Sequence, residues 1–192
     1  MKQKMIVIML TLLLSGVCLA KGETKNNGES VYNISTVWLN QDSQAFPLQK
    51  LKGRPVVLAM VYTSCQSACP LIVSDMKNIA KALNTKEKEQ VQFALFSFDP
   101  EEDVPSQLKQ FAKEQALDLT HWSLLTAQPD AVRELAAVLG VQYKKNASGE
   151  FSHSNIITIL DAEGKIRYQQ VGLKQDPKMS AQILSQLLSS EK

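Results

Sequence analysis

Val56-Val57-Leu58-Ala59-Met60-Val61-Tyr62-Thr63-Ser64-Cys65-Gln66-Ser67-Ala68-Cys69-Pro70 runs from an unbroken apolar segment into a polar turn. Val56 to Tyr62 suits a strand buried on both faces, because no polar position interrupts it. Beyond the turn, Ile72, Met76, Ile79 and Leu83 recur at helical spacing. That spacing predicts an amphipathic helix over residues 70–84 with Pro70 at its first position, where a missing N–H costs little. Pro70 also disfavours a helical Cys69, so residues 65–69 are expected as a loop or a single tight turn. Both sulfurs would then lie near a helix N-terminus, whose partial positive charge favours thiolate.

Outward from this stretch the chain alternates. Residues 91–98 read as a second core strand, and Asp103-Val104-Pro105 opens a helix to about Gln115. Residues 130–139 form a third helix, stopped by Gly140. Residues 153–160 and 165–171 read as strands around the turn Asp161-Ala162-Glu163-Gly164. Asp176 or Pro177 opens a last helix with Met179, Ile183 and Leu187 inward, and residues 31–39 and 46–48 add short N-terminal strands. The order predicts an α/β, thioredoxin-like fold: a central mixed sheet flanked by helices.

The chain has 192 residues, one domain plus an extension at about 150 residues per domain. Hydrophobic residues at 44% and charged residues at 21% exclude global disorder. Setting aside Lys2 and Lys4 leaves 19 basic against 19 acidic residues, so no electrostatic footprint for nucleic acid remains. Lys2 and Lys4, the uncharged run Met5 to Ala20 and small residues before Lys21 have the order of an export signal. Residues 1–20 are therefore expected as a signal peptide or an N-terminal anchor, and lipidation at Cys18 is a third form of the same address. Each places the body outside the cytoplasm, in the cell envelope and, for a bacterium, the periplasm. Residues 21–30 carry no large apolar side chain and read as a flexible leader. Residues 31–192 form the domain, large enough to fold without a staple.

Of three cysteines, Cys18 lies in the export segment. Cys65 and Cys69 close too small a loop to stabilise the fold much as a disulfide, so the pair reads as a chemical device. Three intervening residues, one more than in a redox thioredoxin motif, permit a disulfide and also suit two thiolates on one metal ion. Two thiolates and an imidazole make a soft set, suited to copper or zinc. Only two histidines can complete it: His153 at the opening of a strand, and His121 at the entry to a short one. Position alone favours His153 slightly. Met60 and Met76 fit the apolar periodicity and are expected in the core. Glu101, Glu102 and Asp103 are expected as a solvated helix start, and Asp99 follows a core strand on the functional edge of the sheet.

The chain resembles the SCO/SenC family of copper-binding, thioredoxin-fold oxidase assembly proteins. The resemblance rests on an ordered set over about residues 46–172. It includes Leu51 to Leu58, Tyr62 to Cys65 with Cys69-Pro70, Ser97-Phe98-Asp99-Pro100, Asp103-Val104-Pro105 and Trp122 to Thr126. Gly140-Val141-Gln142-Tyr143, His153-Ser154, Ile159-Leu160-Asp161 and Gly164 complete it. It implies one copper ion held by Cys65, Cys69 and His153. It also implies a metallochaperone that delivers copper to a respiratory oxidase subunit and needs a thiol reductant protein as a second partner. The alternative is a thiol–disulfide oxidoreductase with Cys65 and Cys69 as catalytic residues and Cys65 attacking. Ser152 stands where the family often has Asp, and Gln66 where it often has Pro.

Overall fold

The computed structural model describes residues 30–147 and 149–190. The export segment, and all of the leader except Ser30, lie outside the described residues. A 3₁₀ turn over Val31–Asn33 leads to β1 (Val37–Asn40) and β2 (Ala45–Pro47), and a second such turn at Leu48–Leu51 leads to β3 (Val56–Val61). There follow α1 (Ala68–Ala82), α2 (Thr85–Gln90), β4 (Gln92–Ser97), α3 (Pro105–Glu114), β5 (Trp122–Thr126) and α4 (Pro129–Leu139). The remainder is β6 (Tyr143–Lys145), β7 (Phe151–His153), β8 (Ile156–Leu160), β9 (Ile166–Val171) and α5 (Lys178–Ser190). Seven strands form one mixed sheet in the order β2-β1-β5-β4-β3-β8-β9, and β6 and β7 pair separately. This is the expected thioredoxin-like architecture, with the central sheet flanked by helices.

The apolar run behaves as its composition dictates. All six residues of β3 are buried, with β4 parallel on one side from Val56↔Gln92 to Val61↔Ser97 and β8 antiparallel on the other. Because β3, β4 and β5 run parallel, their carboxyl ends share one edge, where such sheets place ligand sites. Met60 and Met76 are core residues, as their periodicity implies.

Five expectations need correction. First, α1 begins at Ala68, so Cys69 is helical and Pro70 is the third residue. The first turn has unpaired N–H groups anyway, so proline anywhere in it removes no helix bond. Second, residues 153–160 are two strands, with a break at Ser154-Asn155. Ser154 N–H donates to Gln142 O at 2.8 Å, and Gly172 N–H donates to Asn155 O at 2.9 Å, so successive residues serve different partners. Third, Met179 is exposed, and the inward face of α5 is Ser180, Ala181, Leu184, Leu187 and Leu188. Two apolar stripes a residue apart both fit the sequence. The Ser180 hydroxyl on the second donates to the side-chain amide oxygen of the buried Gln170 at 2.9 Å, while Leu187 is buried as expected and Ile183 packs partly against the core. Fourth, the N-terminal strands are shorter than expected, because 3₁₀ turns take residues 31–33 and 48–51. Fifth, residues 85–90, which the sequence reading leaves without an element, form α2: it buries nothing and rests on a capping box between Asn84 and Glu87.

The turn between β8 and β9 anchors the start of the domain. Val31 N–H donates to Gly164 O at 2.9 Å, the Ser30 hydroxyl bonds the Glu163 carbonyl, and the Tyr32 hydroxyl donates to Leu51 O at 3.2 Å. Gly164 has φ +83°, and an added Cβ would meet the Tyr32 ring at 2.5 Å. Gly164→Ala is therefore expected to destabilise the domain by about 1–3 kcal/mol through backbone strain and displacement of Tyr32. A thermal or urea melt checks this, and an unchanged midpoint would contradict it.

Candidate metal centre

Cys65 lies in the turn after β3 and Cys69 in the first turn of α1, on the carboxyl edge of the sheet. Both are free thiols and both are buried. The Cys69 N–H donates to the Cys65 sulfur at 3.4 Å, so a helix N-terminal donor, otherwise unpaired, is spent on a thiolate. The Ser67 hydroxyl lies 3.8 Å from the same sulfur. Burial pushes the Cys65 thiol up, but the N–H groups of Cys69 and Ser67 and the side chains of the same residues outweigh it. The net result is a pKa lowered to about 6. Burial also pushes the Cys69 thiol up, here without enough compensation, so it ends well above the ordinary thiol range, and the neighbouring Cys65 charge adds to it. The two sulfurs of one turn therefore differ sharply in readiness to ionise.

His153 arrives from the β6–β7 hairpin, 84 positions beyond Cys69. Its Nε2 lies 3.9 Å from the Cys69 sulfur, and ligand atoms of Cys65, Cys69 and His153 all fall within 4.8 Å of one another. The carbonyl of Ser154, 3.1 Å from His153 Nδ1, can only accept. A neutral His153 held there carries its proton on Nδ1 and turns the Nε2 atom toward the sulfurs, the tautomer a metal ligand needs. No other such cluster occurs among the described residues. His121 sits at the opposite edge of the sheet, where its carbonyl accepts from Phe93 N–H at the start of β4. Geometry thus separates the two histidines that position alone barely distinguished.

The residues that hold the site were largely unread in the sequence. Phe98 packs on the imidazole at 5.1 Å between centroids, with Tyr62 at 6.1 Å from the same ring, edge-on. Phe151 and Tyr143 complete the cluster around Phe98 at 5.1 and 5.3 Å. Phe151 and His153 alternate on one strand, and Tyr143 pairs with His153 across the hairpin, so the strand period puts all three on one face. Lys145 ties the hairpin to the sheet by its ion pair with the buried Asp99 at 3.3 Å and its ammonium 5.3 Å over the Phe151 ring.

Asp103 corrects another expectation. Glu101 and Glu102 are solvated, but Asp103 is buried and accepts from Thr63 N–H at 3.1 Å, the Thr63 hydroxyl at 2.5 Å and the Ser97 hydroxyl at 2.6 Å. It clamps the end of β3 to the end of β4, immediately before the cysteine turn. Burial, opposed by these hydrogen bonds, leaves its carboxyl pKa raised. The only trace in the sequence is an acidic residue directly before Val104-Pro105.

In reduced, metal-free protein, Cys65 is expected to react with iodoacetamide with a midpoint near pH 6, falling below that pH as the thiolate is protonated. Cys69 is expected to stay protected until the protein unfolds. Mass-spectrometric mapping against pH checks both, and equal labelling of the two thiols would refute the asymmetry.

The SCO1/SenC family model matches residues 26–189. The SCO1 protein homolog of Bacillus subtilis is 28% identical over 141 residues, covering 72% of each chain. The solved SCO1/SenC family lipoprotein of Bacillus anthracis is 27% identical at TM-score 0.71, covering 81% of this chain and 92% of that one. ScoI of Bradyrhizobium japonicum, solved with copper bound, shares the fold at TM-score 0.67 and 23% identity, covering 79% of this chain and 96% of that one. This chain belongs to the SCO1/SenC family.

Proposed function

We propose that this protein is an exported copper metallochaperone that carries one copper ion on Cys65, Cys69 and His153 and passes it to a copper-accepting subunit of a respiratory oxidase. One observation carries the reading: two sulfurs and one imidazole nitrogen meet within 4.8 Å, with the histidine already in the ligating tautomer. The donor set is soft and suits Cu(I). With Cys65 lowered to about 6, its thiolate is available near neutral pH without a separate base. Three protein ligands leave a side open, so an acceptor thiolate can enter before a donor departs. The copper-bound relative and the family's link to oxidase assembly support the assignment. Residues 1–20 supply the export address as a signal peptide or membrane tether, placing the domain in the cell envelope, in a bacterium the periplasm. There the pair must be kept reduced to bind, which assigns a thiol reductant as second partner.

Reduced protein is expected to take up about one equivalent of Cu(I) in competition with a chromophoric chelator. His153→Ala is expected to weaken binding by at least about tenfold, more than loss of a group that merely orients a ligand at the low end of that range. Failure to bind, or a His153→Ala variant as tight as the parent, would defeat the proposal.

The thiol asymmetry favours a second reading, disulfide exchange with Cys65 attacking and buried Cys69 resolving. His153→Ala separates the two. Lost copper binding with intact exchange against a model disulfide, plus restored oxidase assembly in cells, would favour the redox role.

A further inference from the structure

The edge of the sheet opposite the cysteines has its own chemistry. Lys77 and Lys81 from α1, Lys88 from α2 and His121 before β5 line one cavity of about 310 Å³. Its floor is apolar, with Ala80, Phe93, Leu117 and Trp122. Lys77 is half-buried, its ammonium bonded to the Gln115 carbonyl. Lys52, Arg54 and Lys86 are exposed at the same end, on the segment entering β3 and on α2. Among the described residues none of Lys52, Arg54, Lys77, Lys81, Lys86 and Lys88 forms an ion pair. The carboxylates at this end are partly engaged. Asp161 pairs with Arg167, Glu87 closes the α2 capping box, and Asp118, which lines the cavity, holds the Thr120 N–H and hydroxyl and acts electrostatically on Lys88 and His121. Glu89 and Glu163 are the remaining acids beside it. The cysteine edge is the reverse: Asp99, Glu101, Glu102 and Asp103 follow β4 in a row. The cavity itself carries three lysines against one carboxylate, Asp118, whereas at the cysteine edge Asp99 is already paired with Lys145.

The start of the domain is at the basic end. Ser30 and Val31 bond the β8–β9 turn, which lies beside the first residues of β3. Residues 21–29 reach at most about 30 Å at full extension. A chain held in a bilayer by residues 5–20 would therefore keep this edge near the lipid surface.

We propose that the basic edge is a membrane-docking surface, with the Lys77–Lys81–Lys88–His121 cavity receiving the phosphate of an anionic phospholipid headgroup. Charge complementarity supports it. Lys and Arg side chains are attracted to an anionic leaflet within a Debye length of about 8 Å of its surface. Anchoring by two signals, an apolar segment plus a basic patch, is far firmer than either alone. Docked this way, the strands stand away from the bilayer, and Cys65, Cys69 and His153 face the aqueous space where an acceptor can reach them. The inference rests on the membrane-tether form of the export reading and uses no residue of the metal centre.

The test uses the full chain reconstituted into vesicles of phosphatidylcholine alone or with about three-tenths phosphatidylglycerol. Brief acetylation followed by mass spectrometry reads each lysine, and copper stoichiometry is measured on the same samples so that a failed metal centre is scored separately. Lys77, Lys81 and Lys88 are expected to be acetylated at least about threefold more slowly in the anionic vesicles, with high salt removing the difference and Lys144 and Lys174 unchanged. The exposed double variant Lys81→Glu, Lys88→Glu should abolish protection of Lys77 while retaining copper. Equal rates in both vesicles, protection of Lys144 and Lys174 instead, or a double variant that still protects Lys77 would overturn the proposal. So would equal protection by free glycerol phosphate in neutral vesicles, since that would make the cavity a site for soluble anions.

Discussion

The centre depends on one buried carboxylate. Asp103 takes three donors from two strand ends: the backbone and hydroxyl of Thr63 after β3, and the hydroxyl of Ser97 at the end of β4. Burying an ionisable group is unfavourable unless it is fully hydrogen-bonded. That cost makes the arrangement specific, because few geometries satisfy all the lone pairs at once. Thr63 is thereby fixed two residues before Cys65, and α1 begins three residues after it. With both flanks pinned, the turn aims the Cys65 sulfur at the Cys69 N–H. The lowered pKa of Cys65 follows from that aim rather than from exposure.

The histidine is a different physical problem. It comes from far along the chain, and ordering a distant hairpin over the cysteines has an entropic cost. β6 and β7 pair with each other and not with the main sheet, so the backbone ladder does not place them. Side chains do. Tyr62 and Phe98 project from the ends of β3 and β4 and pack on the imidazole, while Tyr143 and Phe151 from the hairpin pack on those two rings. The Lys145–Asp99 pair adds direction, since a half-exposed ammonium reaches a buried carboxylate.

How much of this was legible follows from the kind of signal each feature leaves. β3 and α1 were readable because their burial is continuous or periodic in sequence. The cysteine turn was readable because the spacing of two rare residues is local. Position barely separates His153 from His121: both read as strand entries in the sequence, although His153 closes β7, and only topology puts one on the carboxyl edge and the other on the opposite edge. Asp103 looked solvated because its neighbours Glu101 and Glu102 are, and its three donors come from residues 63 and 97. The aromatic cluster was hidden for the same reason. Phe98, Tyr143 and Phe151 each look like ordinary core residues, and their shared purpose appears only when two strands and a hairpin converge. α2 left no apolar trace, and the two apolar stripes of α5 share Leu187 and lie too close together for sequence to separate them.

If copper is the cargo, the two chemistries of the cysteine pair are thermodynamically linked. A disulfide removes two of three ligands, so the metal binds only the reduced form. Free copper at a thousandfold excess over the dissociation constant would stabilise that form by about 4 kcal/mol. For a two-electron couple this raises the reduction potential by about 90 mV. A loaded protein would thus resist oxidation in an oxidising compartment, and one that has surrendered its ion would become easier to oxidise. Delivery and disulfide formation are then successive states of one pair of sulfurs. The unequal thiols fit both states, because Cys65 is ionised for metal or for attack while Cys69 is sheltered until its partner has reacted.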